Sequence, residues 1–437
     1  MSNISKIINQ YNKKILNTSY SFSSIAYKLF SKKFDIFEIC NITTSLEIHE
    51  YSKKSYFGGR CEVFGNPNDN EIIHHFDFSG MYAYCMKSNK FPIGNPVFKT
   101  TKLNYTMIGL HTVKVKSDLK IPLLPIKHNK KLIFPNGEFV GTYTHNDLKY
   151  FKELGGEILM HYSSLEYDKE DYVFKDYIEE FEKKKKKGIY YKIFGKAMNN
   201  GLYGSFALNE DNSIFIITFS EEELYGYIKN MNVLSWKKVN NTIIIKIEKN
   251  KLSSKFFDKK KKWNSTKRNI IYSSYISSYA RNRLYNSFLE VEKSGGRLYY
   301  TDTDSIFAGY KTNNIGRKVG EIEWTDIYED GVFISPKFYY LKNQTLKSKG
   351  VKNNTFIFED IKKMFYLNQE ILEFENQLQF KKENFILIQK YITKKININS
   401  YNKRIFSENK KNILRKYIYF LSFQKKVGKK YFFILEK

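Results

Sequence analysis

The chain has 437 residues, enough for a large core or several subdomains in one unit. Hydrophobic residues make up 42%, with 35 Tyr and 36 Phe, which excludes a disordered chain. Lys and Arg total 73 against 45 Asp and Glu, and the net charge of +28 suits a polyanionic partner, nucleic acid first. Lys, Asn, Ile, Tyr and Phe all have A/T-rich codons, so a base-biased genome could produce much of this composition without selection for binding, and the charge is supporting evidence only. Three cysteines (Cys40, Cys61 and Cys85) are too few and too scattered for a disulfide framework or a zinc site, and they fit a reducing compartment. No apolar run reaches the ~18 residues of a membrane span, so none is expected. The N-terminal stretch has neither a secretory apolar core nor an Arg-rich presequence. Either the protein works where it is made or its reading frame has lost a leader.

In chain order, residues 1–55 read as mostly helical, with Ile7, Ile8, Tyr11 and Ile15 at helical spacing. Tyr56-Phe-Gly-Gly59 follows, and paired glycines after an aromatic let a backbone approach another surface; a plain turn is the competing reading. Ile72 to Phe78 reads as a strand carrying Asp77, and Ser79 to Met86 continues at helical spacing. A carboxylate at the end of a buried strand is a usual place for a metal ligand, since unpaired it costs on the order of several kcal/mol. His74 and His75 alternate to opposite faces and read as packing residues. Residues 99–160 alternate short strands and turns, as in Ile108 to Val115 and Phe134-Pro-Asn-Gly137.

Residues 168–187 read as a charged amphipathic helix whose terminal Lys183 to Lys187 run is a solvated face. A second helix, Tyr190 to Tyr203, sets Lys192, Lys196, Asn200 and Tyr203 on one face and Tyr191, Phe194, Met198 and Leu202 on the other. Such a front could hold phosphates at one end and a flat ring at the other; a surface stripe of a basic protein is the alternative. Strands Ser213 to Phe219 and Thr242 to Ile247 precede a basic linker, Lys259 to Lys262, and a long helix, Ile270 to Leu289.

Leu298-Tyr-Tyr-Thr-Asp-Thr-Asp-Ser-Ile-Phe307 is a hairpin with Asp302 and Asp304 at its tip. Two carboxylates between apolar arms repel each other and raise their pKa values or recruit a cation. Oxygen-only ligands favour Mg²⁺ or Mn²⁺ over Zn²⁺, whereas an exposed acidic turn needs no metal. Phe333 to Tyr340 and Lys347 to Lys352 then interleave Lys with aromatics, as in a groove that tracks a nucleic-acid backbone. Beyond about residue 355 the tail reads as helices followed by Lys/Ile/Asn-rich segments.

Taken in this order, the stretches resemble a family B DNA polymerase of the protein-primed branch found in small phages, adenoviruses and linear organellar plasmids. Tyr56 to Gly59 resembles the YxGG segment, and Asp77 to Met86 resembles motif A, Asp-x-x-Ser-Leu-Tyr-Pro-Ser. Lys196 to Gly204 resembles motif B, Lys-x-x-x-Asn-Ser-x-Tyr-Gly, and Tyr300 to Ser305 motif C, Tyr-x-Asp-Thr-Asp-Ser. Lys337-Phe-Tyr339 resembles the Lys-x-Tyr of the thumb boundary, and Lys347 to Lys352 the Lys-x-Lys-Gly that often follows it. Motifs B and C are specific as a pair. Gly80, Ala83 and Tyr84 depart from motif A, and Gly201 from motif B, while Asp77, Tyr82, Lys196, Asn200, Tyr203, Gly204, Asp302 and Asp304 are intact.

The resemblance implies an α+β right-hand fold. Residues 1–55 would form an N-terminal helical segment, 56–167 the first part of an antiparallel palm, and 168–204 helical fingers. Residues 205–334 would form the second part of the palm, and 335–437 the thumb and tail. Asp77, Asp302 and Asp304 are the implied catalytic and metal-binding acids, for two Mg²⁺ with Mn²⁺ as a substitute. Lys196, Lys192, Tyr82, Asn200 and Tyr203 would bind the incoming dNTP. Tyr56, Gly58, Gly59, Gly204, Lys337, Tyr339, Lys347 and Lys349 would hold primer–template DNA.

A separate terminal protein is a further implied partner. The implied location is a mitochondrion or other organelle, or the cytoplasm for a virus or cytoplasmic plasmid. Too few residues precede Tyr56 for the exonuclease domain of longer members, so proofreading is not expected in this chain. A reverse transcriptase would show adjacent Asp-Asp in place of Asp-Thr-Asp. The alternative reading is a degenerate remnant that binds nucleic acid without extending it.

Overall fold

The structure is a computed structural model that describes residues 21–33, 46–128, 131–207, 213–231, 233–239, 242–248, 269–310, 315–344, 346–348, 357–367, 371–381, 386–396, 405–406, 413–414, 423–427 and 430–434. Ile7 to Ile15, Cys40, the Lys259 to Lys262 linker and Lys349 therefore lie outside the described residues.

The chain divides into two compact units, and residues 208–266 join 371–396 in the second. The stretch expected as one second palm segment, 205–334, is thereby split. In the first unit, helices α1 (Phe22–Lys33) and α2 (Leu46–Ser55) precede strands β1 (Cys61–Val63) and β2 (Ile73–Phe78) and helix α3 (Met81–Ser88). Short strands β3 (Phe91–Ile93) and β4 (Val97–Lys99) lead to β5 (Gly109–Ser117), the small hairpin β6 (Ile126–His128) and β7 (Lys131–Ile133), and β8 (Gly137–Thr144). Helix α4 (His145–Glu153), β9 (Glu157–Glu166) and β10 (Lys169–Asp171) follow, with β4, β9, β5 and β8 forming one four-stranded sheet.

Helices α5 (Lys175–Lys185) and α6 (Ile189–Phe206) come next. The helix expected from residue 168 thus starts seven residues later, because Lys169 to Asp171 pair with β3 as a strand.

The second unit contains strands β11 (Ser213–Thr218), β12 (Val233–Val239) and β13 (Thr242–Glu248), with helix α7 (Glu221–Asn230). Alternate Ile243, Ile245 and Ile247 are buried with Leu224, the period-2 pattern of a one-faced sheet.

Back in the first unit, helix α8 (Ile270–Lys293) starts at Asn269, whose side chain accepts the Ile271 N–H. It leads into β14 (Leu298–Asp302), β15 (Ser305–Ala308), β16 (Ile322–Tyr328), β17 (Gly331–Ser335), β18 (Phe338–Leu341), β19 (Lys347–Ser348) and helix α9 (Phe358–Tyr366). The tail, expected as helices followed by Lys/Ile/Asn-rich segments, begins with α9 and then continues as strands β20 (Ile371–Lys381) and β21 (Ile386–Ile396), paired antiparallel in the second unit. Ile, Phe and Leu alternating with Glu, Gln and Lys account for that strand character.

The central element is a five-stranded sheet in the order β1–β14–β15–β2–β16. The main core, with Phe78, Met81, Ile271, Tyr275 and Ile306, lies on its helical side. Val63, Ile73, Tyr299, Tyr300, Phe307, Phe333 and Leu341 form a second core shared with β17 and β18. His75 stacks on Phe307 with ring centroids 4.0 Å apart, and burial lowers its pKa to about 4; it packs, as alternation had indicated. Among the described residues no helix is long and apolar enough to cross a membrane.

Candidate active site

β14 and β15 meet in a three-residue turn in which the Asp304 N–H donates to the Asp302 carbonyl at 2.8 Å. Thr303, at its centre, has φ of 68°, a left-handed value that β-branched residues rarely adopt. The Thr303 N–H donates to the Arg60 carbonyl at 2.7 Å, and the Phe78 N–H to the Asp304 carbonyl at 2.9 Å. Pairing of β15 with β2 sets Ser305 opposite Asp77, so acids more than two hundred residues apart occupy neighbouring strand ends. On the far side of β2, Glu323 pairs with Asp77.

The electrostatics follow from this crowding. Burial, then the charge of Asp304, pushes the Asp77 carboxyl up to about 6, with Lys196 opposing and Glu323 adding to the rise. Asp304 is also raised, by burial first and by Asp302 less strongly, against its own backbone N–H, Lys196 and Lys337. Asp302 is arranged differently: the Lys337 ammonium sits 2.8 Å from each of its carboxylate oxygens. Burial disfavours that ammonium, but the Asp302 hydrogen bond and charge outweigh it and raise the Lys337 pKa. The outer acid is thus neutralised within the chain, and the inner two are not.

Among the described residues no group of three His, Cys, Asp or Glu forms a metal cage on its own. Asp77 and Asp304 nonetheless fit a hard divalent cation. Both are oxygen donors raised by burial, and Mg²⁺ commonly takes one or two carboxylates and completes its shell with water and substrate phosphate.

Helix α6 faces this pair. Lys192, Lys196 and Asn200 are exposed on one side while Phe194, Met198 and Leu202 are buried on the other, as the spacing predicted. Lys185, at the end of α5, is a further cation that the sequence did not single out. Burial lowers its pKa, Glu182 opposes this, and Lys196 and Lys192 add to the lowering. Within a five-lysine run nothing distinguished it from its solvated neighbours.

Three aromatic positions converge beside the acids. Tyr82 and Tyr203 stack with centroids 4.2 Å apart and planes 12° from parallel, and the Tyr56 hydroxyl lies 3.5 Å from that of Tyr203. Burial raises the pKa of both stacked phenols, which stay protonated.

The structure also accounts for the departures from the motifs. Gly80 has φ of 64°, a value glycine adopts without strain, at the entry to α3. Arg283 stacks 4.1 Å over the Tyr84 ring and donates through Nε to the Gly320 carbonyl at 3.0 Å, while Gly320 lies flat against the same ring. A Cβ at Gly201 would stand 3.2 Å from the backbone of Phe22 and Ser23, so the usual Ser is replaced where α1 crosses α6. At Gly58 and Gly204 a Cβ would meet nothing within 4 Å, so internal packing does not ask for glycine there.

Of the residues expected at the thumb boundary, Lys337 holds Asp302. Tyr339 packs against Tyr300, Phe307 and Phe333 beneath the turn, with centroids 5.1, 5.4 and 5.7 Å away. Lys347 is exposed on β19.

An acid near the end of β2 and another in the adjoining β14–β15 turn of an antiparallel sheet, faced by a lysine-bearing helix, match the palm and fingers of a right-hand polymerase fold. Solved structures agree. Phi29 DNA polymerase complexed with primer-template DNA and incoming nucleotide substrates aligns with a TM-score of 0.62 at 16% identity, over 90% of this chain and 70% of that one. Its post-translocation binary complex with primer-template DNA gives 0.61 at 18% identity, over 88% and 69%. The family described as DNA polymerase type B, organellar and viral, matches residues 2–291, and the chain belongs to it. This is the protein-primed branch that the motif order resembled. A probable DNA polymerase of Podospora anserina is 24% identical over 91% of this chain and 36% of its own length. One of Neurospora intermedia is 27% identical over 72% and 33%. The chain spans about a third of the length of these curated relatives.

Proposed function

We propose that the chain is a template-directed DNA polymerase that adds dNTPs to a primer 3′-OH, serving replication of an organellar or linear-plasmid DNA. The observation that carries this reading is the juxtaposition of Asp77 and Asp304, both poorly hydrated and both facing Lys196. The pair would hold divalent ions, Mg²⁺ or Mn²⁺, which when bound lower the pKa of the attacking hydroxyl and offset charge on the leaving pyrophosphate. Lys196, Lys192 and Lys185 would neutralise the triphosphate electrostatically. The Tyr82 ring, fixed by Tyr203, would lie under the sugar and exclude a 2′-OH. Tyr203 and Asn200 would border the nascent base pair.

Tyr56, Gly58 and Gly204 would lie along the template, and Lys337, Tyr339, Lys347 and Lys349 along the primer. Phosphate contacts of this kind position the strands, and base pairing supplies the sequence. A separate terminal protein would supply the priming hydroxyl.

Extension of a primer on a gapped template with dNTPs and Mg²⁺ tests the reading. The wild-type chain is expected to extend, and Asp304→Asn to abolish extension while primer–template affinity stays within about threefold, the inner acid acting on the reaction and not on strand binding. A degenerate remnant would bind the template and add nothing.

A further inference from the structure

We propose that the Gly59–Arg60 backbone is the seat that fixes the Asp302-Thr303-Asp304 turn, making Gly59 a positioning residue for Asp304. The inference rests on the polymerase reading only in taking Asp304 as a cation-holding group. Its observations are geometric. A Cβ at Gly59 would stand 2.8 Å from Thr303 Cγ2 and 2.9 Å from its Oγ1, closer than side chains pack, whereas the same atom at Gly58 would meet nothing within 4 Å. The two glycines of one motif therefore do different things, and the second accommodates a side chain of the turn.

The seat is rigid for identifiable reasons. Arg60 is 3% exposed and Glu62 2% exposed, and the Arg60 Nε donates to Glu62 Oε2 at 2.7 Å. Its Nη1 donates to the Pro122 carbonyl at 2.8 Å, and its guanidinium lies 4.0 Å over the Phe134 ring. The carbonyl of this anchored residue accepts the Thr303 N–H, and the adjoining pairing of Cys61 with Asp302 fixes the register of the strand leading into the turn.

Thr303 is held from both sides. Its hydroxyl donates to Asp302 Oδ1 at 3.2 Å while its methyl group lies over Gly59. A β-branched residue keeps φ of 68° only where its surroundings over-determine it. A methyl group at residue 59 pushes Thr303 off the seat. The turn then relaxes towards extended backbone, and Asp304 loses its register with Asp77.

A double-mutant cycle tests this, with Gly59→Ala made in the wild-type chain and in Thr303→Gly, which removes the opposing side chain and tolerates positive φ. Three quantities are read: Mn²⁺ binding by electron paramagnetic resonance of the free ion, primer–template affinity, and single-turnover extension. In the wild-type background Gly59→Ala is expected to weaken Mn²⁺ binding and slow extension, each about tenfold, with primer–template affinity within about twofold. In the Thr303→Gly background the same change is expected to move none of the three by more than about twofold. Equal losses in both backgrounds, or a loss confined to primer–template affinity, would overturn the proposal and leave Gly59 a template contact.

If Gly59→Ala does not fold, recovery of the wild-type melting profile in the double variant supports the seat, and failure to recover it refutes the seat. A wild-type chain that binds Mn²⁺ but never extends removes the polymerase reading alone, since the Mn²⁺ cycle still decides this one.

Discussion

At Asp77 the fold works against its own stability. Its folded pKa, about 6, exceeds the ordinary carboxylate value of 3.8 because burial and Asp304 disfavour the charge. The folded state therefore holds that proton more tightly than the unfolded chain does, and stability falls as pH rises from about 4 to about 6, staying reduced above. Asp77→Asn is expected to melt higher than wild type above pH 6, by about 1–2 kcal/mol after allowing for screening by water, and to match it below pH 4. Melting curves across that range, with and without Mg²⁺, check this, and the ion should stabilise wild type and leave the variant unmoved. Tyr82→Val should relax sugar selection, measured as the ratio of ribonucleotide to deoxyribonucleotide incorporation; an unchanged ratio would remove the ring from that role.

The acids were legible in the sequence because carboxylates in apolar strands are costly and therefore stand out. Lys185 was not, since a lysine's environment is invisible inside a lysine run. Nor was the contact of Gly59 with Thr303, because composition does not say which surface a glycine lets another residue approach.

Among the elements, the loop between β15 and β16 shows how departures from a motif are absorbed together. Gly320 has φ of 91°, and a Cβ there would stand 2.1 Å from the Tyr84 ring over which Arg283 also lies. Gly320→Ala combines left-handed strain with overpacking and should cost about 2–4 kcal/mol, read from the urea unfolding midpoint. Adding Tyr84→Ser should recover only the packing share, because the backbone strain remains. Periodicity located β2, α6, α8 and the β14–β15 hairpin to within a few residues. It missed the strands after α9, whose period-2 alternation of apolar and polar residues was there to be read, and it missed β10, whose three residues are strand only because β3 lies beside them.

For the whole molecule, the net charge of +28 has a measurable signature. Primer–template affinity should fall on the order of a thousandfold between 50 and 200 mM salt, as counterions released from six or more phosphates would require. Fluorescence anisotropy across a salt series checks this, and a flat response would mean that the charge reflects codon bias and not contact.

The α6 helix is tied to the body through its last turns: Gly201 against Phe22 and Ser23, and the Ser273 hydroxyl on the Tyr203 carbonyl. Its opening turns, with Lys192 and Lys196, lean on α5 instead, as Gly195 does on Lys185. A rod bolted at one end swings about the bolt. Any tilt of this rod would pivot near Gly201 and sweep its widest arc at Gly188, carrying the lysines along while the Tyr82–Tyr203 stack stays almost still.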